Sequence, residues 1–313
     1  MQSSSLLVLH VTINFGSSLK TRLPQGGSKS YDGLSVETTL PLRVVVCLNI
    51  CSTIRRIALE AASILRELEG RDEYLEVLGV NPLGDLTRKI DLVVEDYIYE
   101  SIKSLGLNAL FVGEERGVRE SGPNYEYVVL VDPLDGSLNY AARIPFASVS
   151  IAIYERGSSI TSPVYGVVKN IYADEIYELC NGNVYWNGKL VSSLASRVEN
   201  VFSIYTESPE MLKAIVEIGV KLLKGVKVRT MGAASLEAIY AAHGRIAGFY
   251  HLTGKLRNSD VAVAIGIANR LKAHIYSKPP LGSMRIDRVE AIEKIVITRS
   301  VEILERSKVA LGG

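Results

Sequence analysis

Val128-Val129-Leu130-Val131 runs straight into Asp132-Pro133-Leu134-Asp135-Gly136-Ser137. The four apolar residues read as a buried strand. Proline cannot donate to a central ladder, so the strand is expected to stop at Asp132. Two carboxylates, Asp132 and Asp135, thus arrive together at the end of a sheet. Packed side by side they repel, and one takes up a proton unless a cation intervenes. Hard oxygen ligands on a short turn suit Mg²⁺ or Mn²⁺. Gly136 and Ser137 then expose backbone N–H groups, which suit a phosphate if a helix starts there. The chemistry read from this stretch is metal-dependent attack on a phosphate ester. An Asp-Pro turn with a glycine is also ordinary punctuation, so the reading depends on the rest of the chain.

The elements that must position these groups follow from periodicity. Residues 1–43 are Ser- and Gly-rich around one short apolar run and read as a poorly ordered extension. From Val44 to Leu68 the apolar spacing is helical, and Gly70 ends the run. A second helix is expected from Ile90 to Leu105. Ala109–Val112 reads as a strand that ends in Gly113-Glu114-Glu115. Strands follow at Ala147–Ile153, Val164–Val168, Glu175–Leu179 and Val184–Trp186, with Asn181-Gly182-Asn183 and Asn187-Gly188 as turns. Beyond about Ser192 strands and helices alternate: Val201–Tyr205, Pro209–Leu223, Val226–Arg229, Ser235–His243, Ile246–His251 and Asp260–Asn269. A last helix is expected to begin around Glu290–Lys294 or later and to run through Ser307. This divides the chain into an extension (1–43), a metal-binding αβ half (44–192) and a C-terminal α/β half (193–313).

Acidic residues fall at strand ends or element starts at Asp91, Glu114, Asp132, Asp135 and Asp260, where αβ folds place functional groups. At these positions the chain resembles the inositol monophosphatase family. Gly113-Glu114-Glu115, the segment Asp132–Ser137 and Asn258-Ser259-Asp260-Val261-Ala262 look like its three signatures, in the same order and spacing. Gly84-Asp85-Leu86-Thr87-Arg88-Lys89-Ile90-Asp91 resembles its upstream acidic segment. The resemblance runs from about Val44 to the C-terminus and is weakest after Asn269.

The resemblance implies a layered αβαβα sandwich of the sugar-phosphatase type and Mg²⁺-dependent hydrolysis of phosphate monoesters, with two to three ions per site, Mn²⁺ as a substitute, and a homodimer. It implies that Glu114, Asp132 and the Leu134 carbonyl hold one ion, and that Asp132, Asp135 and Asp260 hold a second. Asp91 and Glu114 approach a third. Ser137 bonds the attacking water, and the Gly136 and Ser137 amides hold the phosphate. The chemistry is consistent with these roles, since a metal-activated water needs no nucleophilic side chain. Charge stabilisation and positioning do most of the rest.

Arg229-Thr230-Met231-Gly232-Ala233-Ala234 resembles the segment whose small residues admit a sugar or cyclitol ring, which makes Arg229, Gly232, Ala233 and Ala234 candidate substrate contacts. His251, Lys255 and Arg257 precede Asp260 and join them. Inositol-selective members carry a Glu seven residues before the last metal Asp, whereas this chain has Thr253. A neutral residue with Lys255 and Arg257 nearby suits an extra phosphate. These residues lean toward fructose-1,6-bisphosphate or a bisphosphorylated nucleotide over a plain cyclitol. The resemblance as a whole implies inositol-1-phosphate and/or fructose-1,6-bisphosphate, with a bisphosphorylated nucleotide or dinucleotide phosphate as the alternative. Ser259 in place of Trp, Val263 in place of a small residue and Asn269-Arg270-Leu271-Lys272 in place of a glycine pair depart from the family pattern.

Other classes fit less well. The haloacid-dehalogenase type also runs a strand into acidic residues, but its two Asp lie two apart and point to one side of an extended chain. A phosphate-binding protein without turnover would not need every metal carboxylate. A formal net charge of +1 over 313 residues gives no electrostatic argument for nucleic acid or an anionic membrane. With 47% hydrophobic and 22% charged residues, a packed core is expected. The three cysteines, Cys47, Cys51 and Cys180, do not read as a disulfide framework, and a cytoplasmic setting is favoured.

Overall fold

The computed structural model describes residues 42–81, 84, 86–120, 124–191 and 200–312. They belong to one compact unit, Pro41–Gly313. Residues 1–41 of the expected extension and Asp85 of the upstream acidic segment lie outside the described residues.

The first half contributes α1 (Leu42–Leu68), β1 (Val77–Val80), β2 (Leu86–Arg88), α2 (Lys89–Ser104), β3 (Ala109–Gly113), β4 (Gly117–Glu120), β5 (Tyr127–Asp135) and α3 (Ser137–Ala141). A meander comes next: β6 (Ser148–Glu155), β7 (Tyr165–Asn170), β8 (Ile176–Cys180), β9 (Asn183–Trp186) and β10 (Lys189–Leu190). The rest is β11 (Val201–Tyr205), α4 (Pro209–Leu223), β12 (Lys227–Arg229), α5 (Ala234–His243), β13 (Gly248–His251), β14 (Leu256–Arg257) and α6 (Asn258–Arg270). The chain closes with β15 (His274–Lys278), β16 (Ala291–Ile292), β17 (Lys294–Thr298) and α7 (Val301–Ala310).

An eight-stranded sheet has the order β10-β9-β8-β7-β6-β5-β3-β4, and a five-stranded sheet the order β12-β11-β13-β17-β15. Helices α1 and α2 cover the outer face of the first sheet, and α5 and α6 lie between the two sheets. Helices α4 and α7 cover the far face of the second. The result is the expected αβαβα layering. Strand β5 explains why its sequence is continuously apolar. Val129 and Val131 pack toward α1 and α2, while Val128 and Leu130 pack toward α5 and α6, so both faces are buried.

Three local expectations are corrected. Strand β5 does not end at Asp132. It pairs Asp132 with Ser150 and then Asp135 with Ser148, so Pro133 and Leu134 form a bulge against β6. A bulge tolerates a proline that a regular central ladder rejects. The last helix takes the later of the expected starts, Val301, and the early start at Glu290–Lys294 is the part corrected. Ala291–Ile292 pairs with β14, and Lys294–Thr298 is a strand between β13 and β15. Its β-branched run Ile295-Val296-Ile297-Thr298 is fully buried and fits a pleated surface better than a helix. Finally, Cys51 on α1 and Cys180 at the end of β8 form a disulfide, with their Cα atoms 6.1 Å apart. Two cysteines 129 residues apart carry no local signal of pairing, and the bridge removes the cysteine argument for a reducing compartment.

Candidate active site

The site is assembled from strand ends and helix starts. Helices α2 and α6 open in the same way, Arg-x-x-Asp. The backbone N–H of Arg88 donates to Asp91 Oδ2 at 2.8 Å, and that of Arg257 donates to Asp260 Oδ2 at 2.8 Å. A helix start favours an anion, so each helix carries a carboxylate on its first turn toward the C-terminal ends of β3 and β5. Strand β3 supplies Glu114, whose N–H bonds the Val131 carbonyl at 3.2 Å. The β5 bulge supplies Asp132, whose Oδ1 accepts from Leu134 N at 3.0 Å, and Asp135.

Glu114, Asp132 and Asp260 offer carboxylate oxygens that all lie within 4.8 Å of one another. Burial, followed by mutual repulsion, pushes Glu114 and Asp132 well above the usual carboxylate range. The guanidinium of Arg257, itself buried, pairs with Glu114. One cation against three converging carboxylates leaves an excess of negative charge, and the all-oxygen donor set fits a hard divalent ion. Asp91 neither joins these three carboxylates nor lines the cavity over them; it is buried at the start of α2, with Glu115 and Glu95 as its acidic neighbours. Its Oδ1 has no hydrogen-bond partner, and burial raises it to about 7. The donor set therefore fits a metal.

Asp135 has a different environment. Its Oδ1 accepts from Ala234 N at 2.9 Å, and its Oδ2 accepts from Ser235 N at 2.8 Å, Ser235 Oγ at 2.5 Å and Ser148 Oγ at 3.1 Å. Burial raises it to about 7 against the pull of these donors. The start of α5 thus holds Asp135 in place before any ligand arrives.

A cavity of about 360 Å³ opens over these groups, within the range of small-molecule sites. Glu114, Asp132, Leu134, Asp135 and Asp260 line it, as do Gly136 and Ser137. Gly136 adopts φ 92°, and a Cβ there would lie 2.7 Å from the Gly232 carbonyl oxygen, so only glycine fits. Of the expected substrate contacts, Gly232, Ala234, His251, Lys255 and Arg257 line the cavity. Arg229 and Ala233 do not. Arg229 is exposed and its guanidinium donates to the Val228 carbonyl, while the Ala233 N–H is taken by Glu237. Arg257 points inward to Glu114 and does not offer its charge to a distal phosphate as expected. Lys255 is at the rim, its Nζ 2.6 Å from Glu207.

Several residues that build the site were not expected from sequence. Glu95, fully buried on α2, accepts from Glu115 N at 2.8 Å and Arg116 N at 3.1 Å and pairs with Arg119 at 3.1 Å, fixing the loop that carries Glu114. A methyl group on Gly113 would fall inside that carboxylate. Glu237, on α5, accepts from the 231–233 turn, and Tyr205 lines the cavity with His251 stacked on it, ring centroids 4.8 Å apart. The available signal was a lone charge inside a buried stripe. Glu95 falls in phase with Asp91, Ile98 and Ile102, and Glu237 is the one acidic residue of Ala234–His243.

The model of the inositol monophosphatase family matches residues 49–270. The chain belongs to the inositol monophosphatase family. The family is metal-dependent, in keeping with the carboxylate cluster. The chain is 34% identical over 216 residues to the fructose-1,6-bisphosphatase/inositol-1-monophosphatase of Thermococcus kodakarensis, covering 67% of this chain and 78% of that one. It is 31% identical over 267 residues to the inositol-1-monophosphatase of Aeropyrum pernix, covering 82% and 94%. A more distant match, 25% over 275 residues, is to a bifunctional NADP phosphatase/NAD kinase of Methanococcus maripaludis, of which the match covers 48%. Among solved structures, an inositol monophosphatase–fructose 1,6-bisphosphatase superposes with TM-score 0.69 at 27% identity, covering 83% of this chain and 98% of that one.

Proposed function

We propose that this chain is a Mg²⁺-dependent phosphatase that hydrolyses the monoester of a small sugar or cyclitol phosphate by in-line attack of water. The observation that carries the reading is the convergence of Glu114, Asp132 and Asp260 within 4.8 Å in a cavity that Gly136 and Ser137 also line. Glu114, Asp132, the Leu134 carbonyl, Asp135 and Asp260 would hold two Mg²⁺ ions, and Asp91 with Glu114 a third. Mn²⁺ has the same ligand preferences. A bound cation supplies an activated water near neutral pH and neutralises charge on the leaving oxygen. Ser137 orients the attacking water, and the Gly136 and Ser137 amides hold the phosphoryl oxygens. Glu95 keeps Glu114 facing the cluster, and the start of α5 keeps Asp135 in place. A homodimer, which the family implies, belongs to the same reading and is checked by light scattering.

Inositol-1-phosphate and fructose-1,6-bisphosphate are the substrates that the names of the relatives and the presence of Lys255 favour. The similarity to an NADP phosphatase supports a second reading, in which the ester is a nucleotide 2′-phosphate. Phosphate release from the three esters, side by side, with Mg²⁺ and with chelator, tests both. Mg²⁺-dependent release from the first two supports the sugar-phosphatase reading, and release from NADP alone overturns it in favour of the second.

A further inference from the structure

Five consecutive backbone amides, Met231 to Ser235, enter α5, and none is left for a ligand. Ala234 and Ser235 donate to Asp135, at 2.9 and 2.8 Å. Met231, Gly232 and Ala233 donate to Glu237, at 3.1, 3.0 and 3.2 Å. Ser203 Oγ and the Tyr205 hydroxyl also donate to Glu237, and Tyr205 in turn accepts from Gly232 N at 2.8 Å. Burying a lone carboxylate costs several kcal/mol, on the order of what is seen for unpaired buried ions. Five donors on one carboxylate offset that cost and fix everything that donates.

What they fix lies on the cavity. Gly232 and Tyr205 both line it, and His251 is stacked on Tyr205. From the other side Asn139 Nδ2 donates to the Met231 carbonyl at 2.6 Å, so the turn is clamped between α3 and Glu237. The amides usually available to an anion at a helix start are consumed by two of the protein's own carboxylates. A phosphoryl group therefore has donors at Gly136–Ser137 but not at the start of α5.

We infer that Glu237 is a positioning residue that sets the wall against which the leaving group of the ester rests, leaving the phosphoryl pocket to Gly136 and Ser137. The inference rests on the proposed reading of the cavity, with the phosphoryl group at Gly136 and Ser137 and the alcohol against the 231–234 segment, and adds the residue that holds that segment in place.

The test compares a ligand that reaches this wall with one that does not. Inorganic phosphate is titrated calorimetrically into Mg²⁺-loaded protein, and the KM for inositol-1-phosphate is measured in parallel, for wild type, Glu237→Gln and Tyr205→Phe. Gln places an NH₂ where an oxygen accepted N–H groups, so the turn must move. Tyr205→Phe removes one donor to Glu237 and one of the two acceptors of the Gly232 N–H, leaves the carboxylate in place, and keeps the variant set informative if Glu237→Gln misfolds. The expected result is a KM raised tenfold or more in Glu237→Gln and a few-fold in Tyr205→Phe, with the Kd for inorganic phosphate unchanged within twofold. Phosphate affinity and KM falling off together, or neither moving, overturns the inference. If wild type hydrolyses no ester, the proposed function fails separately. The unreacted ester is then titrated directly, and its Kd replaces KM in the same comparison.

Discussion

Removing the metal should make this protein less stable as pH rises, the reverse of ordinary acid denaturation. Asp91 moves from an ordinary 3.8 to about 7 because it is buried, and Asp135 does the same. A carboxylate whose folded pKa lies above its unfolded one binds more protons in the native state. Stability therefore falls as pH rises from about 4 through 7. At about 1.4 kcal/mol per pH unit, the Asp91 shift corresponds to about 4 kcal/mol lost across that window. Asp135 is similar in size, but its titration is tied to that of the neighbouring carboxylates, so its share does not simply add. Glu114 and Asp132, also held well above the usual carboxylate range by burial and by each other, act in the same direction. At roughly 2–4 °C per kcal/mol for a chain of this size, a fall in Tm of about 10 °C or more between pH 5 and pH 8 is expected in chelator. Saturating Mg²⁺ should reverse the trend, because ionised carboxylates are what the cation binds and protons compete with it. Asp91→Asn keeps an acceptor for the Arg88 N–H but cannot ionise, so its metal-free Tm should decline less. The assay is differential scanning calorimetry from pH 5 to 8 with chelator or Mg²⁺. A metal-free Tm that is flat or rises over this range, or an Asp91→Asn slope as steep as wild type, refutes the reasoning.

Three further outcomes are expected from the geometry. Gly113→Ala drives a methyl group into the buried Glu95 carboxylate, and breaking that ion-paired group from its partners should cost about 3–5 kcal/mol. Calorimetry should then show weaker Mg²⁺ binding through the displaced Glu114, and a near-wild-type melt with normal metal affinity would count against the Glu95 anchor. The double variant Cys51→Ser, Cys180→Ser opens a loop of 129 residues, worth about 4–5 kcal/mol in the chain-entropy account. Tm should drop while kcat at low temperature holds, since neither cysteine lines the cavity; an unchanged Tm would contradict this. Lys255 and Glu207 are both largely exposed, so solvent screens the pair and it is weakly held. Glu207→Gln should therefore lower the KM for fructose-1,6-bisphosphate a few-fold relative to inositol-1-phosphate, and Lys255→Ala should do the opposite; equal effects on both esters would remove Lys255 from substrate selection.

The carboxylates of the cluster were legible in the sequence because each is tied to a local signal. Asp132 follows an apolar strand, Glu114 follows another, and Asp260 sits three residues into a helix. The αβαβα layering was implied by the resemblance to the family, while periodicity placed individual elements such as α4, whose limits Pro209–Leu223 match the expected ones. The misreadings share a cause, namely that the deciding partner lies far away in sequence. Lys294–Thr298 became a strand because β13 and β15 flank it. Strand β5 resumed at Asp135 because Ser148 on β6 receives it. Cys51 found Cys180 through the packing of α1 on the sheet.

The same limit explains which functional residues escaped. Asp91 and Asp260 hydrogen-bond within their own helix starts and so carry a recognisable spacing, Arg-x-x-Asp, that appears twice. Glu95 and Glu237 hold loops from a distance: Glu95 reaches a segment 20 residues later, and Glu237 reaches back across the chain to Ser203, 34 residues earlier. Neither has a motif, because what each requires is a set of backbone N–H groups, which every residue but proline supplies. Such residues can be found in a sequence only as anomalies, an acid in phase with isoleucines or in the middle of an alanine-rich helix. A buried carboxylate without partners is too costly to persist. An acid on an otherwise apolar stripe therefore implies that a loop, a cation or a metal lies within reach. In this fold that implication leads from Glu95 to the metal side of the cavity and from Glu237 to the opposite wall.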